Sequence, residues 1–394
     1  MVAGSVLVSN QAGAEPPLPA ITAEQLIANV ISAEKIPFSG QVEVATNIGL
    51  PDLSALQNVI GTQAASWTSL LTGTTTVQVA VDPKVGARAE IDSGTSAYVV
   101  VGNLANKDGW IYSSDTNKAT HLVGAAAEST ESPTPDATTP PTPQDIAKQA
   151  IDAITPSTTL TIDANQTIAG HAAYTLTLTP RDSGSLIASV TLAVDASTWF
   201  PVSVKVYSTM LTGTPALSVA FTSLTYATPA ASLFAFTPPA NATVTTTDLG
   251  QAAQAKPDET SPETTMTPPA VTVVSGEAWT SVAMVTGLPA DMTAMLSDPS
   301  NLGGLIGGGT MNPSAMPSDS PMGPMNGPMD QPGHHGNQDA MTSVAGLLGQ
   351  LAQQTPEGVA YSTYLFSVLI TPSGHIYAGA VPVSTLQAAA RANG

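Results

Sequence analysis

Strict alternation of apolar and polar residues marks the stretch Tyr174-Thr175-Leu176-Thr177-Leu178-Thr179. Successive side chains of a β-strand point to opposite faces, so this pattern predicts a strand with one apolar face and one hydrated face. The same period of two recurs in residues 190–194 and 202–206. We therefore expect a sheet with one hydrated side, whose apolar side needs a cover.

Further strands are predicted on both sides of this stretch. Before it they lie near residues 42–44, 77–81, 87–91, 97–101, 110–113 and 120–123. After it they lie near residues 271–274, 279–285, 361–370 and 375–381, of which the last two form a hairpin. Residues that favour turns separate most of these strands, which is typical of an antiparallel sheet.

Helices are predicted at few places. Thr22 and Gln25 have the spacing of a capping box, and Ile21 and Leu26 stand where a hydrophobic staple requires, which predicts a helix over residues 22–35. Further helices are predicted over 52–72, 142–154 and 341–353, and from Ser384 with Gln387 as its capping-box partner. The fold class is therefore mainly β, of the α+β kind.

The composition excludes several functions. With 29 acidic and 10 basic side chains the chain carries a net charge of −19, which repels the phosphates of nucleic acids and of anionic lipids. No nucleic acid is therefore expected as a partner. There is no cysteine, so disulfides, zinc–thiolate sites and thiol nucleophiles are excluded. Low lysine with abundant alanine favours a GC-rich, actinobacterial-type source.

Composition also divides the chain. Segments rich in Pro, Thr, Ser, Glu or Met cannot bury enough apolar surface to fold, and they are expected to be disordered linkers. We predict a remnant of an export signal or membrane anchor with its spacer (1–19), a β domain (20–246) interrupted by a linker (125–143), a second linker (247–270), two strands (271–288), a low-complexity Met/Pro/Gly insertion (289–340), and a C-terminal helix, hairpin and helix that pack on the main domain (341–394).

The first residues of the chain give information about the cellular location of the protein. Val2–Val8 is apolar but too short to span a membrane, and it lacks the basic residues that open a signal peptide. It is either an ordinary frayed terminus or the end of an export signal or anchor. We favour the second, because the run stops at a small-residue segment before a Pro-rich spacer. The protein is then exported, outside the cytoplasmic membrane, and is anchored if this segment is retained.

Three segments of the second half of the β domain carry a resemblance. They are Val194–Val204, with an Asp-x-x-Thr-x-x-Pro turn between two strands, Phe221–Tyr226, and Phe234–Val244, with Phe-x-Phe-x-Pro-Pro. The chain from about residue 20 to 246 resembles the LolA-like superfamily, which includes outer-membrane lipoprotein carriers, LppX/LprG-type lipoproteins and RseB-type regulators. The resemblance implies a strongly curved antiparallel sheet, an incomplete barrel, under a helical lid. The C-terminal hairpin is expected to complete this sheet.

The resemblance implies a binding protein. We expect a carrier or sensor that holds a lipid, or the acyl groups of a lipoprotein, in a half-open barrel. The alternative is an RseB-type regulator that binds a membrane-anchored partner such as an anti-sigma factor. The residues expected to line the cavity are Val42, Val44, Val77, Val79, Val81, Leu176, Leu178, Val190, Leu192, Val204, Val206, Phe234 and Phe236.

No catalytic motif supports an enzyme. Gly-x-Ser-x-Gly, His-Glu-x-x-His and the P-loop are missing, and the sequence gives no cofactor and no metal site. His121 and His171 are expected to stand alone, with no carboxylate beside them. Methionines of residues 311–329 and His334-His335 have soft donors that suit Cu(I), but nothing fixes their geometry, so a low-complexity insertion is the favoured interpretation.

Overall fold

The computed structural model describes residues 18–50, 72–92, 96–104, 106–124, 143–249, 270–288 and 352–393 of the chain. Its helices are α1 (Ala23–Ser32), α2 (Pro143–Ile154) and α3 (Val383–Asn393). Its strands are β1 (Phe38–Thr46), β2 (Gly73–Asp82), β3 (Gly86–Asp92), β4 (Ala97–Asn103), β5 (Asp108–Ser113), β6 (Lys118–Val123), β7 (Thr158–Ile168), β8 (His171–Pro180), β9 (Ile187–Asp195), β10 (Pro201–Ser208), β11 (Leu217–Thr225), β12 (Thr243–Asp248), β13 (Ala270–Ser275), β14 (Val282–Thr286), β15 (Ala352–Thr355), β16 (Gly358–Ser362), β17 (Ser367–Ile370) and β18 (Ile376–Gly379).

The larger sheet has twelve strands in the order β12-β6-β5-β4-β3-β2-β1-β11-β10-β9-β8-β7. All neighbours are antiparallel except β12, which lies parallel to β6. The strands β7 and β12 form the two edges and do not pair with each other. The edge strand β7 nevertheless approaches β11, four positions along the sheet, so the sheet curves back on itself. The prediction of a mainly β chain with an incomplete barrel is confirmed.

Helix α1 begins as the sequence predicts. The Thr22 hydroxyl accepts from the backbone N–H of Gln25, and the Gln25 side chain accepts from the N–H of Thr22, so both halves of the capping box are present. Leu26 is fully buried against Tyr174 and Leu176 of β8. The helix therefore covers one end of the sheet, and it also packs against α2.

The C-terminal strands do not complete the large sheet, which corrects the expectation from the sequence. They form a second sheet in the order β13-β14-β18-β17-β16-β15. The reason is that β14 pairs antiparallel with β18, and one face of this sheet buries Val282, Leu369 and Tyr377 against Leu386 of α3. A separate core thereby stabilises the second sheet.

Two local predictions at the C-terminus are wrong. A turn at residues 363–366, closed by the Thr363 hydroxyl donating to the Phe366 carbonyl at 2.9 Å, divides the strand predicted over residues 361–370 into β16 and β17. Helix α3 begins at Val383, so Ser384 lies inside it, and Gln387 donates to Glu357 at 2.8 Å. No capping box with Ser384 opens this helix.

Several predictions fall outside the described residues. These are residues 52–71 of the helices predicted over 52–72, residues 125–142 and 250–269 of the linkers predicted over 125–143 and 247–270, and the low-complexity insertion. Most of the helix predicted over 341–353 lies there too, although its last two residues belong to β15. The division into domains stays a prediction.

Candidate functional site

One face of the large sheet carries aligned aliphatic side chains. The register places Val44, Val219, Val204, Leu192, Leu176 and Ile162 side by side across six strands. Helix α1 packs on this row through Leu26, at the end formed by β7, β8 and β9. We call this face of the sheet the inner face.

Eleven of the thirteen expected cavity residues share the inner face. Val42 pairs with Val77, and Val79 and Val81 lie in register with residues of β1 on the same side. Leu178, Val190 and Val206 form a second row beside Leu176, Leu192 and Val204. Most of these side chains are half-buried, and Val204 is 36% exposed. Their role as ligand contacts stays a prediction.

Phe234 and Phe236 are separated from the other candidates. Phe234 is the last residue of a short 3-10 helix, Ala231–Phe234. The backbone carbonyl of Phe234 accepts a hydrogen bond from the side-chain amide of Asn103 at 3.2 Å. Phe236 packs on the ring of Trp110, at a ring distance of 5.8 Å. Because Asn103 and Trp110 point away from the inner face, both phenylalanines cover the opposite side of β4 and β5.

A cavity of about 390 Å³ opens on the inner face at the hairpin ends of β2 to β6. One row of paired residues forms its floor, and that row is Val81, Ala87, Gly102, Gly109 and Leu122. The middle three residues have small side chains or none. A Cβ added at Gly102 would meet no atom within 4 Å, so the space above this part of the floor is open.

The rim of the cavity combines apolar and charged groups. Leu104 and Leu249 line it and are 59% and 36% exposed. Asp82 accepts from the backbone N–H of Lys84 at 2.9 Å, and Asp108 faces the His121 ring at 3.2 Å. Lys107 also lines the cavity, is exposed, and forms no ion pair with any residue that the structure describes. The walls are therefore apolar, and Lys107 places at the mouth a positive charge that has no ion-pair partner in the described part of the chain.

The turn after β9 organises a buried polar cluster. Asp195 is 1% exposed, and its carboxylate accepts from the backbone N–H and hydroxyl of Ser197, the N–H of Thr198 and the hydroxyl of Tyr226. Burial alone would raise the pKa of Asp195, but these hydrogen bonds lower it below its usual value. Burial raises the pKa of Tyr226 far above its usual range. The cluster is fully satisfied and is structural.

The same turn supports the helical cover. Trp199 has a backbone φ of +61°, which turns its ring onto Tyr174 with the two planes 8° apart. Tyr174 in turn donates its hydroxyl to the Pro19 carbonyl at 2.9 Å. The Asp-x-x-Thr-x-x-Pro segment thus holds Trp199 and the chain that leads into α1 against the inner face.

Both histidines of the large sheet face a carboxylate, which corrects the expectation that they stand alone. His171 Nδ1 lies 3.1 Å from Asp195, and its Nε2 lies 3.2 Å from the Leu224 carbonyl. His121 faces Asp108 and stacks on Trp110 at 4.1 Å. The sequence could not show these pairs because each depends on which residues of different strands or turns meet.

The row of small residues is the part of the site that sequence reasoning missed. Glycine in a strand interior often marks a close approach or an open space. Gly102 and Gly109 were visible in the sequence, but only the pairing of β4 with β5 places them beside each other. Of the expected residues, Val81 alone lines this cavity.

Within the described ranges, no cluster of three or more His, Asp or Glu side chains could hold a metal ion. The copper hypothesis concerns residues 311–335, which lie outside those ranges. The described helices include none that is long and apolar enough to cross a membrane.

No protein-family profile matches the sequence, and no curated protein matches it. The structure is similar to the complex of MucA and MucB from Pseudomonas aeruginosa, with 17% identity over 93% of this chain and 95% of that chain and a TM-score of 0.38. A LolA superfamily protein from Nitrosomonas europaea matches at 16% identity over 55% of this chain and 99% of that chain, with a TM-score of 0.21.

A putative outer membrane lipoprotein-sorting protein domain from Vibrio parahaemolyticus matches at 8% identity over 52% of this chain and 92% of that chain, with a TM-score of 0.19. The matching structures thus include the superfamily that residues 194–244 resemble. At these identities and TM-scores, no property of those proteins is transferred to the chain.

Proposed function

We propose that the chain binds an apolar ligand, the acyl chain of a lipid or of a lipoprotein, on the inner face of its large sheet. We further propose that it does so outside the cytoplasmic membrane, as a carrier or sensor. The cavity of about 390 Å³ carries this proposal, because its volume falls within the about 300–1,000 Å³ that small-molecule sites occupy. Each methylene buried there contributes about 0.8 kcal/mol of binding free energy.

The half-buried aliphatic rows support the same proposal. They continue from the cavity towards α1, so a longer chain can extend along the inner face from Val81 to Val44 and Val204. The polar groups nearby do not favour catalysis. Both ring nitrogens of His171 face acceptors of the protein, at 3.1 Å from Asp195 and 3.2 Å from the Leu224 carbonyl, and the Asp195 carboxylate already accepts several hydrogen bonds. We therefore propose a binding protein and not an enzyme.

The proposal can be tested by filling the cavity with a side chain. Gly102→Leu adds a branched side chain where no atom lies within 4 Å of the new Cβ, so the fold tolerates it. We expect this variant to bind the neutral apolar probe N-phenyl-1-naphthylamine at least about tenfold more weakly than the parent protein, because the leucine occupies volume that several methylenes would use. Fluorescence titration measures the affinity.

Thr76→Leu is the matched control. Thr76 is exposed and alternates with Val77, so the same side chain is added on the opposite face of the sheet. Its affinity should equal that of the parent protein. Equal binding of the probe by the parent protein and the Gly102→Leu variant would overturn the proposal. A second test is to purify the secreted form, extract it and search the extract for lipid by mass spectrometry. Repeated absence of lipid would also overturn the proposal.

The regulator alternative has one observation in its favour. Strand β13 is an edge of the second sheet, and its Val271 and Val273 are 68% and 64% exposed. An exposed apolar edge strand can accept a strand from another protein. Under this alternative, a membrane-anchored partner co-purifies with the parent protein and with Gly102→Leu but is lost from the Val271→Lys/Val273→Lys variant. Retention by the lysine variant would exclude β13 as the contact.

A further inference from the structure

The charged side chains at the mouth of the cavity differ in whether they have a hydrogen-bond partner within the protein. Asp82 and Asp108 each have a polar partner, the Lys84 amide and the His121 ring. Lys107 has no ion pair among the residues that the structure describes. Lys107 is one of 10 basic residues in a chain with 29 acidic ones, and it stands beside an apolar cavity. The net charge of −19 repels anions in general, so a negative group can be held only where a local cation such as Lys107 pairs with it.

We propose that the cavity takes a single-chain anionic amphiphile, with its chain on the row from Val81 to Leu122 and its carboxylate or phosphate head at Lys107. This inference rests on the proposed function and specifies its ligand. Lys107 lines the cavity and is exposed, so its ammonium group can stay in water while it contacts the head. Leu104 and Leu249 on the same rim contact the first methylenes of the chain.

The size of the cavity limits the ligand. A volume of 390 Å³ equals that of about thirteen water molecules at ~30 Å³ each, which suits one chain of roughly ten carbons. A second chain does not fit beside it, because Ala87 and Gly109 form a floor only one row of side chains wide. A diacyl lipid would place its second chain elsewhere on the inner face.

The experiment compares ligands that differ only in their head. Undecanoate, decyl phosphate, decanol and decyltrimethylammonium, which share a ten-carbon tail, are each tested for displacement of N-phenyl-1-naphthylamine from the full-length protein at about 0.1 M salt. We expect the two anions to bind about threefold or more tightly than decanol, and the cation to bind most weakly. The ratio of the affinities of undecanoate and decyl phosphate distinguishes a carboxylate head from a phosphate head.

Lys107→Gln should abolish the preference for anions and leave decanol binding unchanged. Lys84→Gln is the control, because Lys84 lies on the neighbouring β2–β3 turn and does not line the cavity. If Lys107→Gln retains the preference, or if all four ligands bind equally while Gly102→Leu still weakens them, the inference is overturned and the proposed function stands. If none displaces the probe and Gly102→Leu has no effect on probe binding, both fall.

Discussion

Asp195 shows how one residue turns a sequence motif into a folded structure. Its carboxylate is almost completely buried, yet every hydrogen bond that it accepts lies between 2.6 and 3.1 Å. The backbone N–H of Asp195 also donates to the Phe200 carbonyl, which closes the turn before β10. Replacing it by asparagine removes the negative charge and places N–H groups where acceptors are required.

We expect Asp195→Asn to lower the free energy of unfolding at neutral pH by about 2–3 kcal/mol, the scale for losing hydrogen bonds to a buried charge. The effect should depend on pH. The folded pKa of Asp195 is lower than its unfolded pKa, so its stabilisation is present above the unfolded value of about 4 and is lost as pH falls through the folded pKa. Urea denaturation at about pH 7 and pH 3 should therefore show the difference between variant and parent protein shrinking in acid.

Asp182→Asn is the comparison for this residue. Asp182 is exposed and accepts one hydrogen bond, from the Gly184 amide at 2.8 Å. Its replacement should change the free energy of unfolding by no more than about 0.5 kcal/mol. A loss from Asp195→Asn that is equally small, or that does not change with pH, would show that the cluster around Asp195 does not stabilise the turn.

At the scale of elements, α1 can be tested as the cover of the inner face. Thr22→Ala removes the hydroxyl that caps the helix, and we expect α1 to open more easily by about 1 kcal/mol. Hydrogen exchange of residues 23–32 should then be about fivefold faster while the exchange of β8 stays unchanged. Thr22→Ser keeps the hydroxyl and should exchange as the parent protein does. Faster exchange in β8 as well would mean that the helix and the sheet open together.

The elements also show where sequence reasoning succeeds. The helix over 22–35 and the alternating strands at 174–206 could be predicted because capping and period-two alternation are local signals. The strand predicted over 361–370 failed because its turn depends on hydrogen bonds of Thr363, which is no strong turn residue by itself. Helix α3 was misplaced because Gln387 bonds Glu357, 30 residues away.

At the scale of the whole molecule, register decides what the sequence cannot show. Eleven of the thirteen expected cavity residues share the inner face, because alternation within each strand predicts sides correctly. The cavity floor depends on the register of five strands, which places Ala87, Gly102 and Gly109 side by side. A shift of one residue in any of these pairings would move a row to the other face. Phe234 and Phe236 lie on the opposite side, because the connection between β11 and β12 carries them across the sheet.

The contact between the two sheets yields the last prediction. Tyr364 of the second sheet donates its backbone N–H to the Ile48 carbonyl and accepts from the Ser208 hydroxyl at 2.6 Å. Its ring lies against Gly49, where an added Cβ would stand 2.8 Å from a ring carbon. Gly49 also has a φ of +80°. Gly49→Ala therefore combines backbone strain with pressure on the ring.

Gly73→Ala separates these two costs, because Gly73 has a φ of +79° and no atom within 4 Å of an added Cβ. We expect Gly73→Ala to lower the free energy of unfolding by about 1–2 kcal/mol from backbone strain alone. Gly49→Ala should cost at least about 1 kcal/mol more, because the ring must move. In a double-mutant cycle with Tyr364→Ala that excess should disappear. Equal losses for the two alanine variants would show that the Tyr364 ring moves without cost and that its packing on Gly49 does not stabilise the contact between the sheets. The hydrogen bonds from Leu186 to Ala380 and from Trp279 to Thr158 would remain as contacts between them.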